Sequence, residues 1–204
     1  YTQAYTLSLH DALPILDANF WNDYALRNFE KWVHTSYIPG LFLLVQDWVS
    51  IMQERGKVLK WYPFIDTLED LLLERKSRLR CGSGYSNYTI LTDGNIAPCP
   101  IMVGMKDYYV GNITTASPTD LAIIPVRGQC ETCDIRDFCG GRCLYSAIVK
   151  PWPQSGADLV CKTVRALHEA ITGIVPVIRE MIARGQIRME DLAHEKFNGC
   201  EIIP

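Results

Sequence analysis

Fourteen residues concentrate the chemistry of this sequence: Cys130-Glu-Thr-Cys133-Asp-Ile-Arg-Asp-Phe-Cys139-Gly-Gly-Arg-Cys143, a C-x2-C-x5-C-x3-C run. Two thiolates separated by two residues can turn onto one metal centre because the loop between them is tight. Gly140 and Gly141 let the backbone come close, with its N–H groups aimed at bound sulfide. Cys161 follows after seventeen residues, Cys81 and Cys99 stand upstream, and Cys200 is the eighth cysteine; the first eighty residues have none. Such clustering marks a local task. Four disulfides of an exported chain are the lesser reading, because the first fifteen residues lack a basic region and Leu7 to Leu16 is broken by His10, Asp11 and Pro14. Tetrahedral zinc takes four ligands per site, and seven cysteines from Cys81 to Cys161 do not divide that way. Cubane iron–sulfur clusters take up to four thiolates and tolerate an open position.

The elements that must position these thiols read as α/β in residues 16–80. Asn22 or Asp23 caps a helix through Trp32, with Leu26, Phe29 and Val33 at helical spacing. Pro39 and Gly40 interrupt it, and a second helix over Leu41 to Arg55 ends at Gly56. Lys57 to Phe64 reads as a strand, and Thr67 with Asp70 opens a third helix to about Leu79. Then the rhythm changes. Tyr88 to Leu91 and Asn95 to Pro98 form a hairpin about Asp93-Gly94, with a further strand from Tyr108 to Ile113. A long helix from about Asp158 to Arg184 is expected to kink near Gly173 and Pro176.

The remaining composition narrows the partners. The 204 residues are 48% apolar and 21% charged, with a net charge of −3. A pI near 5.8 favours neither a nucleic-acid backbone nor an anionic membrane. No apolar run approaches the ~18 residues of a membrane helix. The chain starts at Tyr1, and residues 1–15 resemble translated sequencing adapter, so they are read as non-native and the chain as the C-terminal piece of a longer protein. His10, His34, His168 and His194 share no ligand spacing and read as surface or core histidines. Asp17 is either a polar group at a barrel strand end or a capping aspartate. Trp48, Trp61, Tyr62 and Phe64 read as core, and Arg136, Asp137 and Arg142 as solvated charges before cluster-tuning ones.

From Cys81 to Cys161 the pattern C-x12-G-x4-C, gap, C-x2-C-x5-C-x3-C, gap, C resembles the SPASM domain of radical S-adenosylmethionine enzymes that modify peptides and proteins. The resemblance implies the last βα units of a partial TIM barrel over 16–80, followed over 81–204 by a small β-hairpin and helix domain holding two auxiliary [4Fe–4S] clusters. Cys81, Cys99 and Cys143 would hold the first cluster, and Cys130, Cys133, Cys139 and Cys161 the second. The crossing has a parallel in two-cluster ferredoxins. The first cluster then has an open site or Cys200 as its fourth ligand, an ordinary buried thiol being the other reading of Cys200. The C-x3-C-x2-C loop that holds the S-adenosylmethionine cluster is absent from this chain, so that cofactor and a third cluster belong to the intact parent. The resemblance further implies a peptide or protein substrate, a ferredoxin- or flavodoxin-like electron partner and a cytoplasmic setting, with no nucleic acid or membrane. A structural zinc-binding module is the alternative.

Overall fold

A computed structural model describes residues 28–150 and 152–195. The expectations for residues 1–15, the helix start before Asn28, His10, Asp17 and Cys200 lie outside that range. Helix α1 (Phe29–Trp32) runs through a π-helical turn at Val33–Tyr37 into α2 (Ile38–Arg55). The chain therefore does not break at Pro39 and Gly40 as the sequence suggested. Proline has no N–H to donate and crowds the carbonyl four residues back. The widened turn immediately before it, where the Ile38 N–H reaches the Val33 carbonyl, accommodates both defects.

Along α2, Leu41, Val45, Trp48, Val49 and Met52 recur at helical spacing and are buried. The helix ends as expected at Gly56, which takes a left-handed conformation and donates to the Met52 carbonyl. Lys57 to Phe64 was expected to form a strand; residues 57–61 belong to no helix and pair with no strand among the described residues, and Phe64 already begins a helix. Buried Val58 and a 2.8 Å bond from the Trp48 indole N–H to the Leu59 carbonyl hold them against the helices instead. Helix α3 is Phe64–Leu72, one turn earlier than the capping signal implied. Thr67 is fully buried inside it, its hydroxyl donating to the carbonyls of Pro63 and Phe64. The burial of Phe64, Ile65 and Leu68 sets the start of the helix, overriding a weak local cap. Trp48 and Phe64 are core as expected, whereas Trp61 and Tyr62 are exposed.

Strands β1 (Thr89–Ile90), β2 (Asn95–Ala97) and β3 (Gly111–Asn112) form one antiparallel sheet in that order. Thr89 faces Ala97 and Asn95 faces Asn112. Asp93 accepts from the Asn95 backbone at 3.0 Å, so the expected turn forms where the sequence marks it. This is the only sheet among the described residues, so the βα repeat expected before Cys81 is not formed there. Helices α2 and α3 pack directly on a long helix instead.

Short helices α4 (Arg136–Cys139) and α5 (Leu144–Val149) lie within and after the cysteine run. The long helix α6 spans Gln154–Ala183 and continues α-helical through Gly173 and Pro176. The single hydrogen bond lost at Pro176 is offset by packing on either side, where Ile171 and Ile178 are fully buried. Each such side chain contributes about 1.5–3 kcal/mol. The main core joins α2, α3 and α6 with Ile135 and Phe138 of the cysteine loop. Leu79, Met102, Val126 and Leu144 form a separate, smaller cluster.

One buried ionic network ties these parts together. The Arg80 guanidinium, only 6% exposed, donates to Asp66 at 3.3 Å and Asp70 at 3.0 Å on α3. It also lies 4.4 Å over the Phe138 ring. His194 Nε2 approaches Asp66 at 3.4 Å from the far end of the chain. Removing the shared cation leaves two carboxylates in a poorly solvated site. Arg80→Ala is expected to lower the unfolding free energy by about 3 kcal/mol, read as a lower urea midpoint at unchanged slope. An unchanged midpoint would show that the network holds nothing.

Candidate metal centre

The cysteine run does not fold as a plain loop. A 3-10 turn at Gly128–Cys130 precedes the Cys130-x2-Cys133 turn, and α4 carries Arg136 to Cys139. Gly140 ends α4 with φ of 69°, and a Cβ there would stand 2.5 Å from the Leu79 backbone nitrogen. A Cβ on Gly141 would stand 2.8 Å from a Val126 methyl. Gly140 thus lets the run lie against residues 77–79, where the Ser77 N–H also donates to the Asp137 carbonyl at 2.7 Å, and Gly141 lets it lie against Val126. Lys76 pairs with Asp137 at 2.8 Å across the same contact. The segment entering Cys81 is in this way fastened to the segment holding Cys139.

A hollow of about 620 Å³ opens beside the run, bordered by Cys130, Cys133, Cys139, Cys143 and Cys161. Helix α6 supplies its far wall, with Ala157, Cys161 and Arg165 spaced four apart on one helical face. Arg165 bonds both Asp134 carboxylate oxygens and reaches Cys133 Sγ at 3.5 Å, fixing α6 to the first turn of the run. That pairing holds the Asp134 carboxyl well below the usual carboxylate range. One turn on, His168 meets the Phe138 ring edge-on at 4.9 Å, and burial lowers its pKa. His194 is buried and His34 is exposed on the π turn, as ordinary core and surface histidines.

The thiols sense one another. Burial raises the Cys130 thiol, and the Cys133 charge raises it further. Burial also raises Cys139, while the N–H groups of Gly141 and Arg142 donate to its sulfur and oppose that shift. Cys161 is exposed where it borders the hollow, yet surrounding protein pushes it up to about 11, with Cys130, Cys139 and Cys133 contributing. Cys130, Cys139 and Cys161 are thus all held above the ordinary thiol range, by burial first and by neighbouring thiols second. Among the described residues, no three cysteine sulfurs lie within 4.8 Å of one another. Four thiolates on one zinc at about 2.3 Å would stand only roughly 3.8 Å apart.

Cys81 and Cys99 do not border the hollow; together with Cys130 they pack against Leu79, Met102, Val126 and Leu144. Their loops meet at Gly84, whose N–H donates to the Pro98 carbonyl at 2.8 Å. A Cβ on Gly84 would touch Pro98 at 3.1 Å and Leu144 at 3.3 Å. Pro98 precedes Cys99 and Leu144 follows Cys143. The neighbours of Cys81, Cys99 and Cys143 therefore converge, while Cys143 also borders the hollow.

Of the charged residues in the run, Arg136 and Asp137 are exposed as expected. Arg142 is not: it is half-buried in the wall of the hollow, its guanidinium 5.1 Å from the Trp152 ring. A second donor group escaped the sequence reading altogether. Asp66, Glu69 and His194 offer ligand atoms within 4.8 Å of one another. Arg80 already occupies their field through Asp66, so this group is read as part of the ionic network rather than as a metal site. Its components are 128 residues apart at the Asp66–His194 contact, and no local spacing announces it.

No family model, no curated protein and no solved structure matches this chain. The geometry of the glycine contacts can be tested directly. Gly128 also has a left-handed φ, of 79°, but open space around it. Both Gly128→Ala and Gly140→Ala incur about 1 kcal/mol of backbone strain. Gly140→Ala is expected to cost a further ~1–3 kcal/mol from overpacking against residues 77–79. Equal urea midpoints for the two variants would mean that this close approach does not form.

Proposed function

We propose that this chain is the auxiliary-cluster part of a radical S-adenosylmethionine enzyme that modifies a peptide or protein, with a SPASM domain over 81–204. The observation that carries the reading is the convergence of Cys130, Cys133, Cys139 and Cys161 on one hollow, from a turn, α4 and α6. The donor set fits: four mutually repelling thiols, with backbone N–H groups of Gly141 and Arg142 turned to the Cys139 sulfur. Cys81, Cys99 and Cys143 form the proposed first site, supported by the meeting of their neighbours at Gly84.

Bound clusters would supply one-electron transfer, or an open iron for a substrate atom. The chain's own residues do the positioning. Gly140 brings the loop to residues 77–79 and Gly141 to Val126, Arg165 fixes α6 against Cys133, and Arg80 anchors the chain next to Cys81. S-adenosylmethionine and its own cluster would be held upstream in the intact protein, since this sequence has no C-x3-C-x2-C loop. The substrate is a peptide or protein, and a ferredoxin or flavodoxin supplies or removes electrons in the cytoplasm. Among the described residues no helix is long and apolar enough to cross a membrane.

Anaerobic reconstitution of the chain should give about eight irons and eight sulfides, the content of two cubanes. Zinc without sulfide would replace this reading with the structural zinc module. The wiring follows from variants of the same preparation. Cys143→Ala should remove the electron paramagnetic resonance signal that Cys99→Ala removes, and Cys161→Ala the signal that Cys130→Ala removes. If Cys143→Ala instead matched Cys130→Ala, the two sites would be divided by sequence neighbourhood and the crossing would be wrong.

A further inference from the structure

Five cationic or acidic side chains besides Arg142 border the hollow, and each is accounted for. Arg165 is neutralised by Asp134. Arg136 is exposed and donates to the Glu131 carbonyl at 3.1 Å. Lys162 and Asp158 are exposed, and Asp158 accepts from Gln154 at 2.7 Å. Arg142 differs. It is half-buried, its Nε is shut off from solvent with no hydrogen-bond partner, and no carboxylate among the described residues pairs with it. Trp152 lies 5.1 Å from the guanidinium, and both side chains line the hollow. Arg142 lines the same hollow as Cys139 and Cys161. A cation held this way without a counter-anion is costly.

We infer that Arg142 is the charge-compensating residue of the second cluster site, completing an ion pair with the anionic cluster and raising its reduction potential. The inference rests on the proposed function. Four thiolates outweigh the positive charge of the iron–sulfide core, and one added electron makes the group more negative still. A fixed cation beside it therefore favours the reduced form, most strongly where protein excludes water. Arg142 would make reduction easier at this cluster, whose four ligands all border the hollow it lines, more than at the other, where of Cys81, Cys99 and Cys143 only Cys143 does so.

The test uses the whole chain, reconstituted anaerobically with ferrous iron and sulfide. Dithionite supplies one electron per cluster in a titration followed by electron paramagnetic resonance. In Arg142→Gln the midpoint of one cluster should move to more negative potential while the other stays, and Arg142→Lys should restore most of the shift. Arg142→Gly is the second neutral variant, because the native φ of 59° suits glycine and its backbone fits without strain. Loss of one cluster's iron from both neutral variants but not from Arg142→Lys would support the same charge role. Unchanged midpoints in both neutral variants, or equal loss of iron from all three, would overturn it and leave a packing role on Trp152. A wild-type chain that takes up zinc or no sulfide overturns the proposed function and this inference together.

Discussion

The guanidinium of Arg80 is the point at which the separate parts of the chain are obliged to meet. It stands one residue before Cys81 and lies over Phe138, one residue before Cys139. Two α3 carboxylates hold it from the other side, and through Asp66 it reaches His194. A buried cation needs its partners in place, so α3, the cysteine run and the C-terminal segment cannot adjust independently. Gly140 extends the same constraint along the backbone by letting α4 lie against residues 77–79. The candidate ligands Cys81 and Cys139 thus have fixed neighbours whether or not anything is bound between them.

What the sequence reveals depends on how far away the deciding contacts lie. The hairpin is legible because Asp93-Gly94 directs its own turn through bonds within two residues. The end of α2 is legible for the same reason at Gly56. Pro39 misleads because the adjoining π turn keeps the helix going, and buried Val33 in that turn packs with Leu159 and Val160 of α6. Thr67 misleads because burial of its neighbours outweighs a capping box. Cysteine spacing marks Cys130 to Cys143 as one local unit, while the arrival of Cys161 at the same hollow depends on how α6 packs. It says nothing of the half-buried state of Arg142, which depends on Trp152 from outside the run.

The two halves are held by different kinds of cohesion. The helical layer has a continuous apolar core from Leu41 to Leu192. The cysteine half has a small apolar cluster of Leu79, Met102, Val126 and Leu144, with Cys81, Cys99 and Cys130 packed against it. Its sheet has strands of two or three residues, too short to stand alone. In the proposed reading, thiolate–metal bonds supply there what apolar burial supplies in the helical layer, so folding and metal uptake are thermodynamically linked.

Helix α6 is common to both halves, and it sets their phase. Its first turns carry Cys161 and Arg165 to the hollow, and its later turns carry Ile171, Ile178 and Met181 into the helical core. Thirty residues of uninterrupted helix extend about 45 Å, and each residue advances the face by roughly 100°. The direction in which Cys161 points is therefore indexed to the direction in which Ile171 points. A single residue inserted between Arg165 and Ile171 would turn one face against the other by about a quarter of a revolution. The length of that stretch works like the timing between two gears on one shaft: chemistry at the cysteine end stays aligned with the packing at the other only while the count is kept.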